Sequence, residues 1–209
     1  DFDTFRAQVA RAHERGLRAA VHIFDLADAA MAVEAGVDVI GHSVRDQDVT
    51  PDFIEALKAR GVFYVPTLTR DLSVFVYEST PDFFADPFFL RGRSLYGEQL
   101  ATLTDPANQQ RVRDNRNAQS IKQALAQAER NLKLLSDAGV AIAMGTDSGP
   151  AGAPGRWQGY FEHVELAMMA EAGMTPMQVL VAATGRAAAG LGLDQRGSLE
   201  TGKGADFLG

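Results

Sequence analysis

Four segments of this chain repeat one local pattern: a helical stretch closed by glycine, a short apolar run, then a polar residue. They are Arg15-Gly16-Leu17-Arg18-Ala19-Ala20-Val21-His22, Ala35-Gly36-Val37-Asp38-Val39-Ile40-Gly41-His42, Arg60-Gly61-Val62-Phe63-Tyr64-Val65-Pro66-Thr67 and Ala138-Gly139-Val140-Ala141-Ile142-Ala143-Met144-Gly145-Thr146-Asp147. Glycine ends a helix because the residue after the last turn takes a left-handed conformation that a side chain disfavours. The runs that follow are short and apolar, as expected of parallel strands buried on both faces. Helix alternating with such a strand predicts a parallel α/β architecture, each crossover helix carrying the chain back to start the next strand.

Helix start signals support the alternation. Asp25 precedes a helix over Leu26–Ala35, and Thr50-Pro51-Asp52 supplies a cap, a first-turn proline and an acid near the positive dipole end. Asp105-Pro106 repeats the device, and Thr175-Pro176-Met177-Gln178 has capping-box spacing. The pattern predicts strands near 17–22, 37–41, 62–66 and 140–146, and helices over 4–15, 26–35, 108–137, 161–172 and 176–191. The repeat glycines are 20, 25 and 78 residues apart, so the third interval holds an insertion, over about 69–119. Phe75, Tyr77, Phe83, Phe84, Phe88 and Phe89 crowd into it, as an apolar lid, a partner surface or a satellite core.

Four βα units are half of an eight-stranded barrel, whose complete form takes about 250 residues. A doubly wound sheet is the alternative, but no Gly-x-Gly-x-x-Gly follows a strand, so a dinucleotide site has no support. A net charge of −7 gives no footprint for nucleic acid or an anionic membrane. The absence of cysteine excludes disulfides, thiolate zinc sites and a cysteine nucleophile. The apolar runs are too short to span a bilayer. The chain opens on Asp1 without a basic-then-apolar leader, which favours the cytoplasm unless its natural start lies elsewhere.

In α/β barrels the functional groups sit at the C-terminal ends of the strands. Here those positions are His22, His42, Thr67 and Asp147, so two of the chain's four histidines fall at equivalent places in successive units. Imidazole is a common ligand of zinc and similar ions, and an aspartate serves as ligand or proton acceptor. Each residue also has a plainer reading: a strand-end histidine as a hydrogen-bonded rim residue, and Asp147 as a cap for its own loop. Thr67 and Arg70, directly after the third strand, are candidates for substrate contact. His163, near the start of a later helix, is another, and suits packing or a surface position equally well. The loop 149–155 lacks the Gly-Lys-Ser/Thr of a P-loop and reads as a mobile active-site loop. Arg156-Trp157 beyond it either touch substrate or start the next helix.

The strings Val21-His22-Ile23-Phe24-Asp25, Ala35-Gly36-Val37-Asp38-Val39-Ile40-Gly41-His42-Ser43 and Gly145-Thr146-Asp147-Ser148-Gly149 resemble the metal-dependent amidohydrolase superfamily, in its imidazolonepropionase-like and dipeptidase-like branch. The tail agrees, through Glu171-Ala172-Gly173-Met174-Thr175-Pro176, Ala183-Thr184-Gly185-Arg186-Ala187-Ala188 and Gly197-Ser198-Leu199-Glu200-Thr201-Gly202-Lys203-Gly204-Ala205-Asp206. The resemblance implies a partial (β/α)8 TIM barrel over 1–194, its strands corresponding to the family's fifth to eighth. Residues 195–209 would then begin the return to a small β-sandwich domain. It implies that His22, His42 and Asp147 hold a divalent metal, zinc first, with one or two ions in the complete enzyme. It further implies hydrolysis of amide or other carbon–nitrogen bonds in a cyclic amide or dipeptide-like small molecule. Asp147 would take a proton from water and deliver it to the leaving amine.

Two departures shape the expectation. The family's first strand carries a His-x-His pair that this chain lacks, and none of Lys58, Lys122, Lys133 and Lys203 suits the carboxylated lysine of its fourth strand. The expected unit is therefore a piece of a longer enzyme, incomplete alone. The reading from another class is a catalytically incompetent barrel fragment or a metal-free binding module. Unpaired strand edges and inward-facing apolar side chains predict self-association, or pairing with the missing half-barrel.

Overall fold

The structure, a computed structural model, describes residues 1–95, 97–149 and 154–206. Helix α1 (Phe2–Glu14) leads into β1 (Ala20–His22), α2 (Leu26–Ala35), β2 (Val39–Gly41), α3 (Pro51–Arg60) and β3 (Phe63–Val65). Helices α4 (Leu68–Phe75), α5 (Pro87–Gly92), α6 (Gly97–Thr104) and α7 (Pro106–Asp114) form the insertion. Then come α8 (Arg116–Asp137), β4 (Ala141–Ile142), α9 (Phe161–Glu171), α10 (Pro176–Val181) and α11 (Ala187–Leu191). Among the described residues the strands make one parallel sheet in chain order, with Val21 opposite Ile40, Ile40 opposite Tyr64 and Tyr64 opposite Ile142. This is the partial barrel that the repeat predicts. None of the described helices is long and apolar enough to cross a membrane.

The punctuation works as the chemistry requires. Gly36 and Gly61 end α2 and α3 with φ of 94° and 64°, closing each helix through hydrogen bonds that a β-carbon would strain. Asp25 and Thr50 accept from the N–H of Asp28 and Phe53, and Thr175 and Gln178 form the reciprocal capping box.

Three local expectations are corrected. The strands are shorter than the apolar runs: the Asp38 carboxylate takes the Ala19 N–H at 2.7 Å before β1 begins, and β2 ends where His42 turns left-handed. The helix expected over 108–137 is two helices. Asn115 is extended (φ −78°, ψ 108°), and its side chain accepts from the N–H of Asn117 and Ala118 to start α8 afresh. The stretch 176–191 carries a π-turn at Ala182–Arg186, where the Ala182 carbonyl accepts from Met144 N–H at 3.0 Å.

Two cores result. Ile40, Tyr64 and Ile142 are buried with Val33, Leu57, Leu132, Leu135 and Met169 between sheet and helices. Tyr77, Phe89, Leu100 and Leu103 of the insertion form the second with Trp157 and Phe161, from the segment after β4. The aromatic stretch is thus a satellite core, with Phe83 and Phe84 edge-on at 5.1 Å and Phe84 and Phe89 stacked at 5.2 Å.

Candidate active site

Among the described residues, three that are not glycine have positive φ: His42 (72°), Thr67 (49°) and Asp147 (53°). Each lies just beyond β2, β3 or β4, at the carboxyl edge of the parallel sheet. Left-handed backbone disfavours a β-carbon, most of all a branched one such as threonine's. Three such residues side by side mark an edge where geometry outweighs backbone comfort.

His42 and Thr67 form the fixed centre of this edge. Both are buried, and His42 Nδ1 shares a 2.6 Å hydrogen bond with Thr67 Oγ1. Burial, and next the neighbouring His22, lower the His42 pKa from 6.5 to about 4, so the ring is neutral at pH 7. In the tautomer whose Nδ1 donates to the hydroxyl, Nε2 keeps the free lone pair. His22, on the outer strand β1, is exposed, and its ring meets His42 edge-on with centroids 4.3 Å apart.

Behind this centre lies a layer of buried charge. Arg45 and Asp71 have side chains 1% exposed and pair at 3.3 Å, and Arg70 Nη1 donates to the other Asp71 oxygen at 2.8 Å. The Arg45 guanidinium also covers the Phe24 ring at 4.5 Å and donates to the Ser43 carbonyl. From α9, the fully buried Glu165 reaches across to the start of α4. It accepts from Leu68 N–H and Thr69 N–H at 2.8 Å and from the Thr69 hydroxyl at 2.7 Å. Burial raises its pKa to about 7. Glu165 thereby fixes the two residues that follow Thr67.

Asp147 is held differently. Its side chain is 47% exposed, and Arg156 Nη1 donates to its Oδ2 at 2.8 Å and to its own carbonyl at 3.2 Å. The Thr146 and Ser148 hydroxyls flanking it donate to Glu162 Oε1 at 3.1 and 2.6 Å. Arg70 is half-buried beside Asp71 and near enough to His42 to act on its charge. His163 is exposed, with its ring against Phe88 of the insertion at 4.9 Å. Of the loop expected over 149–155, residues 150–153 lie outside the described residues.

The structure therefore brings His22, His42 and Thr67 together, sets Asp147 on the same edge under an arginine, and leaves His163 on the insertion side. Among the described residues no three His, Cys, Asp or Glu side chains gather closely enough to hold a metal ion. The donor chemistry nonetheless suits a divalent cation: two touching imidazoles, one held neutral, and a carboxylate. Arg45, Asp71 and Glu165 escaped sequence reasoning, since each looks like an ordinary surface charge. The proximity of Asp71 to the strand end was the available signal.

Comparison with known proteins agrees with this architecture. The chain matches the amidohydrolase family over residues 2–208. It is 43% identical to an imidazolonepropionase of Deinococcus deserti over 75 residues, 35% of this chain and 18% of that protein. Its fold is similar to that of a Xaa-Pro dipeptidase solved with methionine bound in the active site (TM-score 0.66, 24% identity, 99% of this chain and 42% of that one). It is similar also to a prolidase complexed with N-methylphosphonate-L-proline (0.64, 22%, 99% and 41%) and to A. niger ochratoxinase (0.61, 24%, 99% and 38%). The chain spans about two fifths of those structures and a smaller share of the curated relative.

Proposed function

The chain belongs to the amidohydrolase family, and from that premise we propose that it supplies the second half of the active site of a metal-dependent hydrolase of carbon–nitrogen bonds. The observation that carries the reading is the sharing of one sheet edge by His22, His42 and Asp147, with the two imidazoles in contact. In this reading His22 and His42 offer nitrogen ligands and Asp147 an oxygen. The ion, zinc first among candidates, would lower the pKa of water toward neutrality and polarise the scissile carbonyl. Thr67 keeps the His42 ring in one orientation. Asp147 accepts the proton of the attacking water and passes it to the departing amine. A cyclic amide or a dipeptide-like molecule is the proposed substrate class, with Arg70 and Thr67 beside it and His163 contributing through the insertion. Residues 195–209, of which 207–209 lie outside the described residues, are proposed as the start of the return to a small β-sandwich domain.

The same reading leaves β1 and β4 as sheet edges, which are proposed to pair with further barrel strands or with a second copy of the chain. Metal analysis and an amide-hydrolysis screen with zinc, manganese or iron, on a longer protein that also carries the first half of the barrel, as wild type and as Asp147→Asn, test the function. The expected result is metal bound by the wild type, with turnover reduced about 100-fold or more in the variant. A longer wild-type protein with neither metal nor turnover would favour the metal-free module. Light scattering over a dilution series tests the pairing, and a monomer at all concentrations would refute self-association.

A further inference from the structure

The ion pair on Asp147 is tied to the aromatic insertion through the two residues that flank Arg156. Gly155 is gripped at both its backbone polar atoms. Tyr77 donates its hydroxyl to the Gly155 carbonyl at 2.5 Å, and the Gly155 N–H donates to Gln99 Oε1 at 3.1 Å. With φ at +85°, and a β-carbon there meeting the Tyr77 ring at 2.4 Å, the position accepts glycine alone. Two residues on, Trp157 is fully buried against Phe89 and Phe84, with ring centroids 5.3 and 5.9 Å away. Arg156 is thus bracketed by two residues locked into the insertion. Its Nη1 reaches the Asp147 carboxylate and carbonyl, and its Nε donates to Ser73 Oγ at 3.3 Å. Ser73 in turn donates to the Arg70 carbonyl at 2.6 Å.

A half-exposed ion pair adds little to folding. Trp157 belongs to the second core in its own right, but the grip on Gly155 at both backbone polar atoms fixes where the arginine between them starts. We propose that Arg156 is the positioning residue for Asp147, and that the insertion governs that carboxylate by gripping Gly155. The proposal rests on Asp147 being the working carboxylate of the preceding section. It carries a consequence for cations: the guanidinium and a cation brought to His22 and His42 compete for the same carboxylate.

Two measurements on the full chain test this, and the first needs no metal. Nitrogen-15 NMR of the guanidinium reads how freely the Arg156 group rotates. Asp147→Asn is expected to speed that rotation about fivefold, and Tyr77→Phe, which removes one hydroxyl 79 positions from Arg156 in the chain, by about twofold. Rotation indifferent to both substitutions would overturn the proposal. The second is zinc titration against a chromophoric chelator. Arg156→Met is expected to tighten zinc binding about fivefold, and Arg156→Lys, which keeps the charge, to stay near wild type. The gain must vanish in the Asp147→Asn background. Zinc affinity unchanged or weakened by Arg156→Met would overturn the competition. Zinc bound by neither protein would overturn the metal reading instead, while the NMR result still decides whether Arg156 positions Asp147.

Discussion

The inner and outer strands of this sheet hold their functional residues in opposite ways. His42 and Thr67, beyond β2 and β3, are buried, bonded to each other and backed by the Arg45–Asp71–Arg70 layer and by Glu165. His22 and Asp147, at the end of β1 and beyond β4, are exposed, and among the described residues the one meets the His42 ring and the other pairs with Arg156. An inner strand has neighbours on both sides to build a supporting shell. Among the described residues β1 and β4 each pair with one strand, and their site residues are met by a neighbouring ring or by an arginine from outside the sheet. Within this set, support from strands on both sides goes with burial and with a fixed side-chain bond.

The sharpest way to break the comparison is to remove one charge from each side. Asp71→Ala leaves the buried Arg45 guanidinium uncompensated and is expected to cost about 3–5 kcal/mol in urea unfolding. In the second core, Trp157→Ala is expected to cost about 3–5 kcal/mol and to loosen the insertion, read by hydrogen exchange at α5 and α6. Asp147→Asn, on the edge, is expected to change stability by about 1 kcal/mol or less. Comparable costs for Asp71→Ala and Asp147→Asn would dissolve the distinction.

Acid titration sharpens the inner side. The folded Glu165 carboxyl binds its proton up to about pH 7, against 4.5 when unfolded, so its contribution falls as pH rises between those values. His42 runs the other way. It stays neutral when folded down to about pH 4, against 6.5 unfolded, so its contribution is present above 6.5 and is lost as pH falls toward 4. Between 4.5 and 6.5 the two slopes oppose, and the contributions of these two groups nearly cancel. Glu165→Gln should uncover a rise with pH of about 1.4 kcal/mol per unit, and His42→Asn a fall of similar size. Parallel pH profiles in the two variants would refute this pairing.

Much of the architecture was legible because it is written in local chemistry. Glycine stops, Asp25, Thr50 and Thr175 caps and short apolar runs each report on their own few residues, and His22, His42 and Asp147 each follow the apolar run of their own unit. What was not legible depends on distant partners. Asn115 interrupts a helical pattern that is otherwise continuous, because its own side chain caps the next helix better than it continues the last. Arg45, Asp71 and Glu165 are buried by elements far away in the chain: Glu165 meets Leu68 across 97 positions. The left-handed backbone at Thr67 is invisible beforehand, since threonine is among the residues least suited to it.

That backbone has a consequence for anyone improving the protein. At positions 42 and 67 glycine would forfeit a buried hydrogen bond along with the backbone strain, whereas at the half-exposed position 147 it would relieve about 1 kcal/mol with little to lose. A library selected only for heat resistance would therefore gather glycine at position 147, and its most durable members would be the ones stripped of the carboxylate.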